Sequence, residues 1–314
     1  MKRRRIKKSV VRLFFLILGI IILIVVVCRV ISIAKYHKTD EYKLLKIGYS
    51  DTEIALILDN QSVTEYALNH EYDEFIDDFI KEKYYLNDNL ERYLNYKKDS
   101  NKSFRDVVSI VNVNADNDWY TDTKKADLSK KELILVNKFN YLDEDYSIQD
   151  IKEISPMYAY SENESNDEIM SFYKKMFNAA SKENIDLIIS SAFRSYDEQE
   201  KTYNEYKNFK GEEYANKYAA KAGYSEHQTG LAFDILTTGA NTDNFENTKE
   251  FSWLRDNAYK YGFIMRYPKD KEYLTGYEYE PWHYRYVGVD VASKIYKEDL
   301  TFDEYYAYYI VGEK

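Results

Sequence analysis

Four histidines occur in 314 residues, and two of them stand beside carboxylates. His227 lies in "YSEHQTGLAFDI", seven positions before Asp234, and His283 lies in "YEYEPWHYRYVG", three positions after Glu280. Two imidazoles and one carboxylate make an open zinc shell with a fourth position left for water, and a second carboxylate is then available as a base. Zinc lowers the pKa of such a water to about 7, and a carboxylate within hydrogen-bond reach takes its proton as it attacks a carbonyl. This is the chemistry of peptide hydrolysis. The charge developing on the carbonyl oxygen asks for a further cation, and Arg194 in "SSAFRSY" is available.

The elements around these residues are consistent with a shared site. If His227 enters a turn through Gly230 and Asp234 sits on the strand that follows, Asp234 faces the same side as Ala232 and Gly230, where small residues leave room for a metal. Pro281 favours extended backbone at Glu280, so Glu280 and His283 enter from a strand and not from the helix of the zincins. Arg194 ends "IDLIISSAF", which reads as a buried strand from Ile185. The helix before it places Ile169, Phe172, Met176 and Ala180 on one face. Further helices are expected from Ser195 through Phe209 and from Thr248 to Tyr261, the second closed by Gly262. Short strands are expected over 231–235, 262–267 and 283–287, and "ELILVNKF" (132–139) is an apolar run of strand length. Seven of ten glycines and two of three prolines fall between 211 and 288, which concentrates tight turns where catalytic loops are held.

Singly, each residue also has a structural reading. A lone histidine is more often structural than a ligand, Arg194 suits a helix cap or a surface ion pair, and Trp282 suits a core. His37 stands beside the apolar N-terminal run and His70 reads as a surface residue.

That run, Leu13 to Cys28, follows "MKRRRIKKSVVR", which holds seven Lys or Arg and no acid. Sixteen residues span about 24 Å, and continuing past Arg29 to Ala34 gives about 33 Å against a hydrocarbon core of about 30 Å. The basic cluster keeps the N-terminus cytoplasmic and sends the remainder outside, with Arg29 snorkelling to the interface. A cleaved signal peptide needs small residues at its cut site, and only Ser32 and Ala34 offer one, which favours an uncleaved anchor. Val27 before Cys28 disfavours a lipoprotein, and a single cysteine excludes internal disulfides. The net charge is −10, and the chain beyond residue 12 carries −17, which disfavours nucleic acid and anionic lipid as partners of the outer part. From Tyr42 to about Asn114 the chain is charged and Tyr-rich, with the capping-box pattern Ser50/Glu53 before Ile54, Ile57 and Leu58. It reads as a stalk of short helices.

Together, "SSAFRSYDEQEKTYNEY", "AGYSEHQTGLAFDI", "WLRDNAYKYGFIMRYP" and "GYEYEPWHYRYVG" resemble, in order and spacing, the VanY-type zinc D-alanyl-D-alanine carboxypeptidases, relatives of the lysostaphin-like peptidases and the hedgehog domain. The resemblance covers roughly Val107 to Ile310 and is most specific from Ser190 to Gly288. Ser225, His227 and Asp234 match the family's Ser-x-His-x6-Asp motif, and Glu280 and His283 its Glu-x-x-His. It implies His227, Asp234 and His283 as zinc ligands, Glu280 as base and Arg194 as stabiliser of the substrate carbonyl. Ser225 and Gln199 would bind substrate, and Arg266 would meet its terminal carboxylate. The implied fold is α+β, a small central antiparallel sheet flanked by helices, here preceded by a transmembrane helix and a small helical region. The expected organisation is a cytoplasmic tail (1–12), an anchor (13–34), a helical stalk (35–130) and a zinc carboxypeptidase domain (131–314) facing the cell wall. The implied activity removes the C-terminal D-alanine of peptidoglycan stem peptides. Two alternatives are an L,D-carboxypeptidase acting on the tetrapeptide and a catalytically silent zinc-containing wall-binding module.

Overall fold

The structure is a computed structural model that describes residues 8–312, so the first seven residues of the basic tail and the last two of the chain lie outside it. The chain divides into two compact units, Met1–Phe104 and Arg105–Lys314.

The first unit opens with α1 (Lys8–Tyr36), whose segment Arg12–Tyr36 is long and apolar enough to cross a membrane. Five short helices follow: α2 (Asp40–Ile47), α3 (Asp51–Leu58), α4 (Gln61–Asn69), α5 (Ile76–Ile80) and α6 (Leu90–Lys98). Helices this short are marginal alone and depend on packing. Each of the five buries one to three side chains, among them Leu44, Ile57, Val63, Phe79 and Tyr93. The Ser50/Glu53 capping box is present, whereas Leu58 is 42% exposed and lies outside this small core. His70 is exposed and stacks on Tyr66.

The second unit begins within α7 (Phe104–Asn112), which buries every residue from Val107 to Asn112. Ser109 Oγ stands 2.8 Å from the Tyr308 hydroxyl, nearly 200 positions away in the chain. A helix so apolar belongs to the larger core, so the compact unit begins at Arg105 and not at 131, where the composition change suggested a boundary.

Two short pairs come next: β1 (Lys124–Lys125) lies parallel to β2 (Asn140–Tyr141), and β3 (Ile151–Glu153) pairs antiparallel with β4 (Glu164–Asn166). Then follow α8 (Asp167–Lys182), β5 (Ile188–Ser191), α9 (Tyr196–Lys210), α10 (Glu212–Tyr218), β6 (Ala232–Leu236), α11 (Lys249–Asn257), β7 (Phe263–Met265), α12 (Glu272–Thr275), β8 (His283–Tyr286), α13 (Val289–Glu298) and α14 (Phe302–Tyr305). Strands β5, β6, β8 and β7, in that order, form one antiparallel sheet.

Successive side chains on a strand point to opposite faces. Phe233, Ile235, Phe263, Tyr284 and Tyr286 join Ile169, Tyr173 and Met176 of α8 and Leu254 of α11 in the main core. Burying each large apolar side chain contributes roughly 1.5–3 kcal/mol. The alternate residues Asp234, His283 and Arg285 turn to the opposite face, where Ile264 packs with Ala292 and Ile295 of α13 and with Phe302.

The apolar run 132–139 is buried from Ile134 onward but is not a strand. A 3-10 turn over Leu128–Leu133 leads into irregular chain. The Arg285 guanidinium donates to the carbonyls of Glu132 and Ile134 at 2.9 and 2.7 Å, so a side chain supplies the donors that a neighbouring strand would.

Candidate metal centre and substrate cleft

Sheet register assembles the centre. Asp234 on β6 pairs across the ladder with His283 on β8, and with Ser191 on β5. His227 arrives from outside the sheet on a 3-10 turn, Glu226–Thr229, capped by the Ser225 hydroxyl and closed by Gly230 at φ 69°. The Arg194 backbone N–H donates to the His227 carbonyl at 3.3 Å and ties the chain after β5 to that turn. Gly230 leaves no space for a metal: a Cβ there would meet Ile148 Cδ1 at 2.3 Å, so its small size serves the turn and the packing of Ile148.

His227, Asp234 and His283 each offer one ligand atom, and those atoms lie within 4.8 Å of one another. Each imidazole is held from behind. His227 Nδ1 stands 2.6 Å from the Ala192 carbonyl, an acceptor, which assigns the proton to Nδ1 and leaves the Nε2 lone pair facing Asp234 Oδ2 at 3.4 Å. His283 Nδ1 lies 3.0 Å from Asp234 Oδ1 and 3.8 Å from Glu280. Its Nε2 stands 3.5 Å from Glu226 Oε2, and neither atom has a hydrogen-bond partner among the described residues. Two imidazoles, one hydrogen-bonded to the Ala192 carbonyl and the other facing the Glu226 carboxylate, around a carboxylate are the donor set of an open zinc site, so these residues fit the ion.

Glu226 is fully buried between two arginines, accepting from Arg266 Nε at 2.7 Å and Arg285 Nη1 at 2.8 Å. Burial pushes its carboxyl up, but Arg266 and then Arg285 outweigh that and hold it well below the usual carboxylate range. Arg266 also pairs with Asp303, which in turn accepts from the Asn137 amide at 2.7 Å. The expectation that Arg266 meets a substrate carboxylate is therefore corrected. Its side chain is 0% exposed and its guanidinium is committed to two acids behind His283.

The ligands open into a cavity of about 310 Å³ that also includes Arg194, Gln199, Ser225, Glu280, Tyr267, Tyr277 and Trp282 on its wall. Burial pushes the Glu280 carboxyl up to about 8, with His283 pulling it down and Asp234 pushing it further up. Arg194 donates to Gln199 Oε1 at 2.9 Å and to Ser191 Oγ at 2.8 Å. Gln199 Nε2 donates to the Ala220 carbonyl at 2.7 Å, so its amide braces Arg194 against the end of α10. Trp282 both packs against the main core and faces the cavity.

Sequence reading missed Glu226, Arg285, Asp303 and Lys138. Glu226 stands inside the "SEH" triplet and Arg285 inside the apolar strand "HYRYV", and a charge in a buried run was the available signal. Lys138, 2% exposed, donates to the carbonyls of Asn216 and Gly276 and packs over Tyr277, joining α10 to the loop that carries Glu280.

Comparison with known proteins gives a consistent answer. The family described as VanY: D-alanyl-D-alanine carboxypeptidase matches residues 162–289. The chain is 42% identical over 205 residues to the putative carboxypeptidase YodJ of Bacillus subtilis, covering 60% of this chain and 74% of that one. It is 34% identical over 200 residues to a D-alanyl-D-alanine carboxypeptidase of Enterococcus faecalis, covering 60% and 71%. Among solved structures it resembles the LdcB LD-carboxypeptidase, with 40% identity, a TM-score of 0.56 and coverage of 60% and 91%. It also resembles VanYB in complex with D-alanine-D-alanine, with 34% identity, a TM-score of 0.50 and coverage of 58% and 99%.

Proposed function

Because the chain belongs to the VanY family of D-alanyl-D-alanine carboxypeptidases, a family of zinc peptidases, we propose that it removes the C-terminal D-alanine from peptidoglycan stem peptides. The observation that carries this reading is the convergence of the His227, Asp234 and His283 donors beside the part-buried carboxyl of Glu280 in one cavity.

In this proposal His227 Nε2, His283 Nδ1 and an Asp234 oxygen hold zinc. Bound there, zinc supplies Lewis acidity toward a water and the scissile carbonyl. Glu280 takes the proton of the attacking water and returns it to the departing amine. Burial pushes its carboxyl up to about 8, and a cation held by the neighbouring donors would favour the ionised form that a base needs. Arg194, its guanidinium aimed by Gln199 and Ser191, neutralises charge on the carbonyl oxygen. The Ser225 hydroxyl, on the cavity wall, offers a donor to the substrate backbone. The anchor is α1, with the basic tail in the cytoplasm and residues after 36 outside; its length, apolarity and flanking lysines and arginines support this.

The second reading is an L,D-carboxypeptidase, favoured by the likeness to LdcB. The deciding experiment incubates the full-length protein, in detergent with zinc, with pentapeptide and tetrapeptide stems. Release of D-alanine from the pentapeptide is expected; release from the tetrapeptide alone overturns the D,D assignment. Release from neither substrate favours the silent wall-binding module. Glu280→Ala is expected to retain zinc and lose at least about 10²-fold in kcat, and hydrolysis persisting in that variant removes Glu280 from the role of base.

A further inference from the structure

Lys138 is a buried cation that the mechanism does not use. Among the described residues no carboxylate pairs with it, and its contacts are carbonyls and rings. Burial pushes its ammonium down to about 8, and Lys221 and Lys217 push it the same way. A charge buried without a counter-ion costs stability, so what its donors hold indicates what it does. They hold two helix ends. The Asn216 carbonyl belongs to the last turn of α10 and the Gly276 carbonyl directly follows α12, and Lys138 Nζ donates to both. The last carbonyls of a helix have no partner within it and carry partial negative charge, so one ammonium serves both ends. Nζ also lies over the rings of Tyr277, Trp119 and Tyr120, at 4.4, 5.4 and 5.4 Å from their centroids. At Gly276 a Cβ would stand 3.0 Å from Lys138 Cδ and from the Trp119 ring, so the lysine stem has no slack.

Both helix ends belong to the cavity that holds the metal donors. Helix α10 gives it Tyr214 and Tyr218, and the chain after α12 gives it Tyr277 and Glu280. That chain is pinned at two further points: the Glu278 N–H donates to the Lys217 carbonyl and the Glu280 N–H to the Tyr267 carbonyl, each at 3.1 Å. Lys138 supplies the remaining hold, at the start of the segment, and does so with a side chain that reaches α10 at the same time. We propose that Lys138 is a positioning residue: by clamping the segment 276–280 to α10 it sets where the Glu280 carboxyl stands beside the metal donors. The inference deepens the stem-peptide hydrolase reading and rests on it.

The test uses the full-length protein in detergent with zinc, on pentapeptide and tetrapeptide stems, with kcat taken per zinc-loaded chain. Lys138→Met keeps an unbranched stem beside the rings and removes the donors. Its kcat is expected to fall roughly tenfold with KM within about twofold, short of the roughly 100-fold that a 1 Å misplacement costs. In the Glu280→Ala background the same change is expected to cost less than about twofold, because the residue it positions is gone. Trp119→Leu, at a half-buried position, loosens the same ammonium and leaves its donors. It is expected to lower kcat about threefold, again only with Glu280 present, and it carries the test if Lys138→Met does not fold. An unchanged kcat in the folded variants, or equal losses with and without Glu280, overturns the proposal and makes Lys138 a structural cation only. A wild type that releases D-alanine from neither stem refutes the stem-peptide reading and this inference with it, an outcome distinct from an active wild type that is indifferent to Lys138.

Discussion

At the scale of single residues, the metal donors are set by what stands behind them. His283 faces the cavity because Glu226 lies behind its Nε2, and Glu226 stays ionised because Arg266 and Arg285 flank it. Glu226→Gln keeps the shape and removes the charge. It leaves Arg285 with no ionised partner in a fully buried position and His283 with a weaker acceptor. Zinc affinity is expected to fall about 10- to 100-fold, measured by chelator competition. Breaking a buried pair also costs about 3–5 kcal/mol, measured by urea unfolding of the zinc-loaded protein. An unchanged zinc affinity would limit Glu226 to folding alone.

At the scale of elements, the turn Glu226–Thr229 and strand β6 must meet at a fixed angle, and Gly230 sets it. Its φ of 69° lies in the left-handed region, and the space beside its Cα is taken by Ile148. Gly230→Ala is expected to cost about 1–2 kcal/mol from the backbone conformation, with a further cost from displacing Ile148. The double variant with Ile148→Ala separates these, because only the displacement is relieved. If Ile148→Ala recovers nothing, the contact with Ile148 plays no part in the cost. The helices and strands found at 167–182, 196–210, 232–236, 263–265 and 283–286 were legible, within a few residues at their ends, because their apolar periods and capping residues are local. The run 132–139 was not, since its partner is the Arg285 guanidinium, some 150 positions away in the chain.

At the scale of the whole molecule, the chain comprises an apolar N-terminal helix with short helices after it, and a mixed unit that carries every proposed ligand. The second unit contains its own core and all of the donors' outer partners. Residues 105–314 are therefore expected to fold, bind zinc and cleave short stem peptides at the full-length rate. A fragment starting at 131 is expected to fail, because it lacks α7 and its six buried residues. Circular dichroism with zinc analysis and peptide assay of both fragments checks this, and an inactive 105–314 fragment would mean that the first unit is needed for folding or catalysis.

By itself the sequence determined the residue types of the centre, the periodic elements and the apolar N-terminal span, because each is written in neighbouring positions. The family motif within 190–288 was legible for the same reason. Only the tertiary structure decided that Asp234 stands opposite His283, that Arg266 is a buried support and not a substrate contact, and that α7 belongs to the second unit. Those outcomes depend on sheet register and on burial. Both are set by contacts between distant segments, and a buried arginine is indistinguishable from an exposed one until its partners are in place.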